Sequence, residues 1–382
     1  MKNYTFQLSE SNSVNINIIR IITIQIIAVS HGLENIGAID FANSIGVFCL
    51  NFLMLISGFL IAHSIYISMN DKNYDFKKFL IRRFSRIYPV VLTVYTLIVF
   101  VDWINHYKFL HHIVEFFINI LLLNDSVLGY KFYGYNRHLW IFPLFWWQYL
   151  FFGWLIVGSR TTKKKYIYYI LLGFFALFIF LIIFGMCSER KINFLIIWFL
   201  GASFASLMDK LNKFIKKNIK NMDNKNGKTQ SSIKLLRKVR YFSLILGLGC
   251  FALALIREQF NKNHTAYELI YNLFLAGGIL FLFIFAQYSN FKYPKKVKKI
   301  INYLASYTLT MFLFHMCLYN LFLGYGDDFI LFVYIHIITN ILSFIIAYFT
   351  ERKTPQLNRY LIKKFNLEPK SEKVQKPLKG MP

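Results

Sequence analysis

Ten apolar runs punctuate the chain, at roughly 16–33, 44–66, 87–103, 138–158, 166–186, 192–208, 241–256, 266–287, 300–323 and 329–350. Each is long enough, or nearly so, to cross a bilayer as an α-helix, since the hydrocarbon layer is about 30 Å thick. This spacing constrains the fold more than any other feature. Hydrophobic residues make up 56% of the 382 and charged residues only 16%, and the mean hydropathy is +0.44. Two or three soluble domains of ordinary size cannot hide that much apolar surface. The sequence therefore predicts an all-α, polytopic membrane helix bundle of about ten transmembrane helices. A further apolar stretch near 113–123 is short and holds Glu115 and Asn119. It reads as interfacial or re-entrant. The first run lacks a basic segment beside it and a small-residue cleavage pattern, so it is expected to be a retained span.

The net charge of +26 is the odd feature of so apolar a chain. In a soluble protein it would suggest a nucleic-acid partner. Placed on ten spans with a cytoplasmic N-terminus, 36 of the 44 Lys and Arg residues fall on the cytoplasmic side, 7 fall opposite, and Arg20 lies inside the first span. Such a bias is the positive-inside pattern, with both termini cytoplasmic. The charge then reports orientation and contact with membrane lipids, and no nucleic acid is expected. Residues 1–365 read as one integral membrane domain. Its basic segment 209–240 reads as a flexible cytoplasmic linker, and 366–382 as a disordered cytoplasmic tail. Cys49, Cys187, Cys250 and Cys317 have no metal-ligand spacing, so neither a disulfide framework nor a metal site is expected.

Ionisable groups inside spans are costly and mark candidate sites. Arg20 and His31 are eleven residues apart, which on a helix places them on one face about 16 Å apart. The guanidinium suits phosphate or carboxylate, and the imidazole suits a general base. The alternative is structural: Arg20 reaching the headgroups and His31 capping the outer end. Arg83 and Arg86 stand at i,i+3 beside the third span. That pair can clamp a polyphosphate or simply anchor the span. Pro89 reads as the first turn of that span's helix. Ser57-Gly58 offers close helix packing, with Ser57 as nucleophile the weaker reading. The fourth run opens with His138-Leu139-Trp140 and continues through Pro143, Trp146, Trp147 and Tyr149; it reads as an interfacial aromatic belt or, through His138, Trp140 and the mid-span Pro143, as a broken helix beside a site. His315, His336 and Glu351 are further polar groups within or closing late spans.

Several of these pieces, in this order, resemble the acyltransferase-3 family of integral membrane acyltransferases, which modify surface sugars in bacteria. The resemblance is carried by Arg20 with His31, by Ser57-Gly58-Phe59-Leu60-Ile61, and by Arg83-x-x-Arg86-Ile87-x-Pro89. Weaker matches are His138-Leu139-Trp140, Phe312 to His315, and Glu351-Arg352, and the whole covers about 15–355. Asn17 and Asn51 stand where the family commonly has Asp. Phe145, Trp146 and Trp147 stand near positions where one branch has Glu. The resemblance implies transfer of an acyl group, most often acetyl from acetyl-CoA, to a sugar hydroxyl of a surface or lipid-linked polysaccharide such as O-antigen, capsule or exopolysaccharide. It implies a bacterial inner-membrane location. On this reading Arg20, Arg83 and Arg86 hold the acyl-CoA and His31 is the base. Trp140, Tyr149, His138, His315 and Glu351 serve the acceptor or its positioning. A flippase or a polymerase of a lipid-linked polysaccharide is the competing class. No internal repeat and no large outer loop speaks for either.

Overall fold

A computed structural model describes residues 4–37, 39–104, 113–123, 141–161, 165–184, 189–226, 229–260, 269–289, 291–323 and 328–367. Secondary structure in these residues is helical throughout. In chain order the helices are α1 (Glu10–Asn35), α2 (Ile39–Ser68), α3 (Phe76–Ile104), α4 (Ile113–Ile120), α5 (Ile141–Gly153) and α6 (Ser159–Thr161). They continue with α7 (Lys165–Phe184), α8 (Glu189–Asn226), α9 (Thr229–Phe260), α10 (Leu269–Gln287), α11 (Lys295–Ala305), α12 (Thr308–Phe322), α13 (Phe329–Phe349) and α14 (Thr354–Lys364). Among the described residues eight helices are long and apolar enough to cross a membrane, and nine spans result if α11 and α12, bent by 45°, count as one. The expected span 166–186 coincides with α7, which is apolar along its 20 residues. Large apolar side chains such as Phe349 (68% exposed) and Ile245 (67%) face outward. That outward surface is lipid-facing by composition, so the protein is a multi-pass helical membrane bundle.

Local chemistry fixes the helix ends. Ser9 caps α1 by accepting from Asn12 N at 3.2 Å. Gly37, at φ 101°, closes the other end with its N–H on Glu34 O. Asp75 caps α3 by accepting from Lys78 N at 2.9 Å, and Asp328 caps α13 by accepting from Ile330 N at 3.1 Å. Helix α2 is the spine: it packs along α1 and α8. α9 lies on α10, and α12 lies between α1 and α13.

Three expectations change. The segment 209–240, expected to be a flexible linker, is helical in its described residues: 209–226 end α8 and 229–240 open α9. Its Lys, Asn, Leu and Ile content is compatible with helix. Pro89 does not start a helix. α3 begins at Phe76, so Pro89 lies inside it and the arginine cluster rides on the helix N-terminal to the proline. Pro143 does not break its helix either; it lies in the first described turn of α5, and the irregularity is the π-helical segment Trp154–Gly158 that follows. The stretch 113–123 forms the eight-residue α4, about 12 Å long and too short to span. The tail beyond Leu367 lies outside the described residues.

Gly58 decides how closely α2 and α8 approach. A Cβ there would lie 2.0 Å from Trp198 O, and a Cβ on Gly201 would lie 2.1 Å from Leu55 O. Both obstacles are backbone, so neither can swing away. Gly58→Ala is expected to cost about 1–3 kcal/mol of stability through overpacking. It should be read as a lower melting temperature of the purified protein; an unchanged melting temperature would contradict this close contact.

Candidate active site

Arginines from two helices meet around one cavity of about 150 Å³. Arg20 of α1 and Arg83 and Arg86 of α3 line it, with Ser57 and Ile56 of α2, Tyr149 of α5 and Thr308 of α12. Phe142, Phe145 and Trp146 supply an aromatic wall. Arg20 donates to Thr308 Oγ1 at 2.8 Å and makes a long contact of 3.5 Å to Asn17 Oδ1. Arg83 donates to Ser64 Oγ at 3.0 Å and lies 5.5 Å over the Phe79 ring, while its Nε has no hydrogen-bond partner among the described residues. Arg86 is exposed at the residue level and sits within electrostatic reach of Arg20, Arg83 and Glu351. The hydroxyls of Ser57 and Tyr149 are hydrogen-bonded to each other across the cavity. Ser57 therefore has a phenol beside it, not a base, which disfavours it as a nucleophile.

Three cations around an apolar-walled space make a receptor for a polyanion. The nearby carboxylate is already engaged. Glu351 accepts from Thr310 N at 2.7 Å and from Thr310 Oγ1 at 2.8 Å. It thereby caps the first turn of α12, next to the bend after α11, where a negative charge is favourable. Its neighbour Arg352 lies flat on Tyr303 and Phe344, at 3.9 and 4.3 Å from their centroids, and donates to Ser306 Oγ at 2.9 Å. These two residues hold the broken helix in place.

His31 is not among the cavity's lining residues. It lies further along α1, toward the opposite end, as its helical distance from Arg20 requires. Both residues nevertheless face α12: Arg20 binds Thr308, and the His31 ring stacks on His315 with centroids 5.4 Å apart. His31 Nδ1 is 3.1 Å from Glu34 Oε2. A carboxylate accepts, so Nδ1 carries the proton and Nε2 of the neutral ring carries the lone pair. His315 Nδ1 likewise faces Met311 O at 3.0 Å. An imidazole beside an orienting carboxylate is chemically suited to general-base work.

A polar network links this end to the middle of the bundle. Tyr319 OH meets His336 Nδ1 at 2.5 Å, and Asn340 Nδ2 lies 3.1 Å from His336 Nε2. Gln25 Nε2 donates to Asn340 Oδ1 at 2.6 Å and to Tyr307 OH at 3.1 Å. Sequence reasoning singled out His336 but not Glu34, Gln25, Tyr319 and Asn340. Helical spacing held part of the signal: Glu34 follows His31 by three, and Tyr319 and Asn340 follow His315 and His336 by four. His138 and Trp140 lie outside the described residues. Asn17 and Asn51, which replace the expected carboxylates, make amide pairs instead, with Asn302 at 2.9 Å and Asn272 at 2.7 Å.

A family model described as an acyltransferase domain, that of acyltransferase-3, matches residues 13–350. The match takes in nearly the whole described bundle, so the chain belongs to the acyltransferase-3 family. No curated protein and no solved structure matches it.

Proposed function

We propose that this membrane acyltransferase moves an acetyl group from acetyl-CoA to a sugar hydroxyl of a bacterial cell-surface polysaccharide, from a place in the inner membrane. The observation that carries the reading is the convergence of Arg20, Arg83 and Arg86 on one cavity in a chain of this family. The phosphates of CoA are the polyanion such a cluster suits, and the aromatic wall suits the uncharged arm. The acyl end runs from there between α1 and α12 toward His31.

The chemistry is one exchange of acyl partners. His31 Nε2 takes the proton of the sugar hydroxyl as its oxygen attacks the thioester carbonyl. The C–O bond forms, the C–S bond breaks, and the departing thiolate is protonated to CoA. Glu34 holds the tautomer that leaves Nε2 basic, and it balances the imidazolium formed at the barrier. Tyr149, His315 and Glu351 position the surrounding elements.

The deciding experiment compares surface polysaccharide from cells with and without the gene, by NMR and by release of acetate in alkali or hydroxylamine. Loss of labile acetate from a glycan of unchanged length and amount is the expected result. A shortened or missing glycan would instead favour a polymerase or a flippase.

A further inference from the structure

Helix α11 holds four lysines and no carboxylate. Lys298 pairs with Glu10 of α1. Lys295, Lys296 and Lys299 are exposed and make no ion pair among the described residues. Val297, Ile300 and Leu304, spaced by three and four, form one apolar stripe beside them, and it too is exposed, with Ile300 at 58%. The depth of this helix is set by α1. Lys298 meets Glu10, and Asn302 meets Asn17 at 2.9 Å, the two ends of the polar opening of α1. Helix α11 therefore runs beside the stretch where α1 leaves its polar boundary and enters its apolar run. Cations at that boundary beside exposed hydrocarbon side chains are the composition of an interfacial helix.

We infer that α11 is a docking surface for anionic phospholipid, and that the bound headgroup holds the broken helix in the posture that serves the arginine cavity. The second half of this inference rests on the acyl-CoA reading above; the first does not. A free phosphate would satisfy the lysines and leave the apolar stripe uncovered. A phospholipid offers an anionic head and hydrocarbon together. The 45° bend between α11 and α12 falls at Ser306 and Tyr307, and both sides of it are tied to arginines. Ser306 Oγ accepts from Arg352, and Thr308 Oγ1 accepts from Arg20 of the cavity. A pull on the lysines of α11 thus reaches, three residues past the end of that helix, the hydroxyl that holds Arg20.

The test places the full-length protein in nanodiscs of phosphatidylcholine alone and of an equal mixture with phosphatidylglycerol. Lipid retained after exchange into detergent is counted by mass spectrometry. Wild type from mixed discs should retain phosphatidylglycerol in preference. The combined Lys295→Gln, Lys296→Gln, Lys299→Gln variant should cut that preference at least about fivefold, the worth of one lysine beside an anionic surface. A charge-matched variant on α8, Lys210→Gln with Lys216→Gln and Lys217→Gln, should keep it. Binding of labelled acetyl-CoA is then measured in both discs. The α11 variant should match wild type in phosphatidylcholine and bind several-fold more weakly in the mixture. Both proteins meet the same surface charge in a given disc, so this contrast separates the lipid site from direct attraction of the donor. An unchanged preference in the α11 variant, or an equal loss in the α8 variant, overturns the docking surface. A donor deficit of equal size in both discs, or none in the mixture, overturns the coupling to the cavity. Wild type that binds acetyl-CoA in neither disc overturns the acyl-CoA reading, while the lipid count still decides the docking surface.

Discussion

Replacing His31 by alanine is expected to abolish acyl transfer, by about 10²–10⁴-fold, the range that a positioned general base contributes. The protein should still reach the membrane, because His31 retains partial exposure and its removal leaves no buried charge: the side chains of His31 and Glu34 are 20% and 18% exposed. Glu34→Gln separates the base from its orienting partner. The amide can present either an acceptor or a donor to Nδ1, so the tautomer is no longer enforced, and the variant loses the charge that balances an imidazolium. It is expected to lose roughly ten- to a hundredfold in kcat with little change in KM for the donor, since the arginine cavity lies about 16 Å away along α1. Acetylation of host polysaccharide, measured at matched protein levels, reads both variants. Normal acetylation by His31→Ala would end the assignment of the base.

The bundle was legible because spanning a bilayer is a one-dimensional requirement, written in the length of each apolar run. The errors came where hydropathy was read as secondary structure. Residues 209–226 and 229–240 are polar and helical, since a helix leaving the membrane keeps its backbone hydrogen bonds whatever surrounds it. Pro89 was misplaced because the apolar boundary of the third run falls well after the helix has begun at Phe76. In the site, the shared face of Arg20 and His31 follows from 100° per residue, and the structure turns both to α12. Gly58 was readable as a close contact, but nothing local names Trp198 of α8 as its partner. Convergence of Arg20 with Arg83, the Ser57–Tyr149 pair and the capping of α12 by Glu351 join residues far apart in the chain. Those depend on how helices pack, which spacing within one helix does not contain.

Arg83→Ala and Arg86→Ala should each weaken acyl-CoA binding about ten- to a hundredfold, as expected for loss of charge-assisted hydrogen bonds to a phosphate. The two are not equivalent. Arg83 is fixed by Ser64 and Phe79 and keeps an Nε donor without a partner among the described residues. Its fork is therefore already oriented before a ligand arrives. Arg83→Lys preserves the charge but not the planar fork, so it should recover only part of the affinity. Arg86 is exposed and makes its contribution through water-accessible charge. Salt distinguishes them, because exposed charges are screened over about 8–10 Å at physiological strength while enclosed ones are screened much less. The defect of Arg86→Ala should shrink as salt is raised, and that of Arg83→Ala should persist. Equilibrium binding of labelled acetyl-CoA to the purified variants, at low and high salt, measures this directly. Wild-type affinity in both variants would remove the arginine cavity as the donor site. Equal salt sensitivity would show that Arg83 is not pre-oriented by Ser64 and Phe79, since a fork held out of water cannot be screened like a free one.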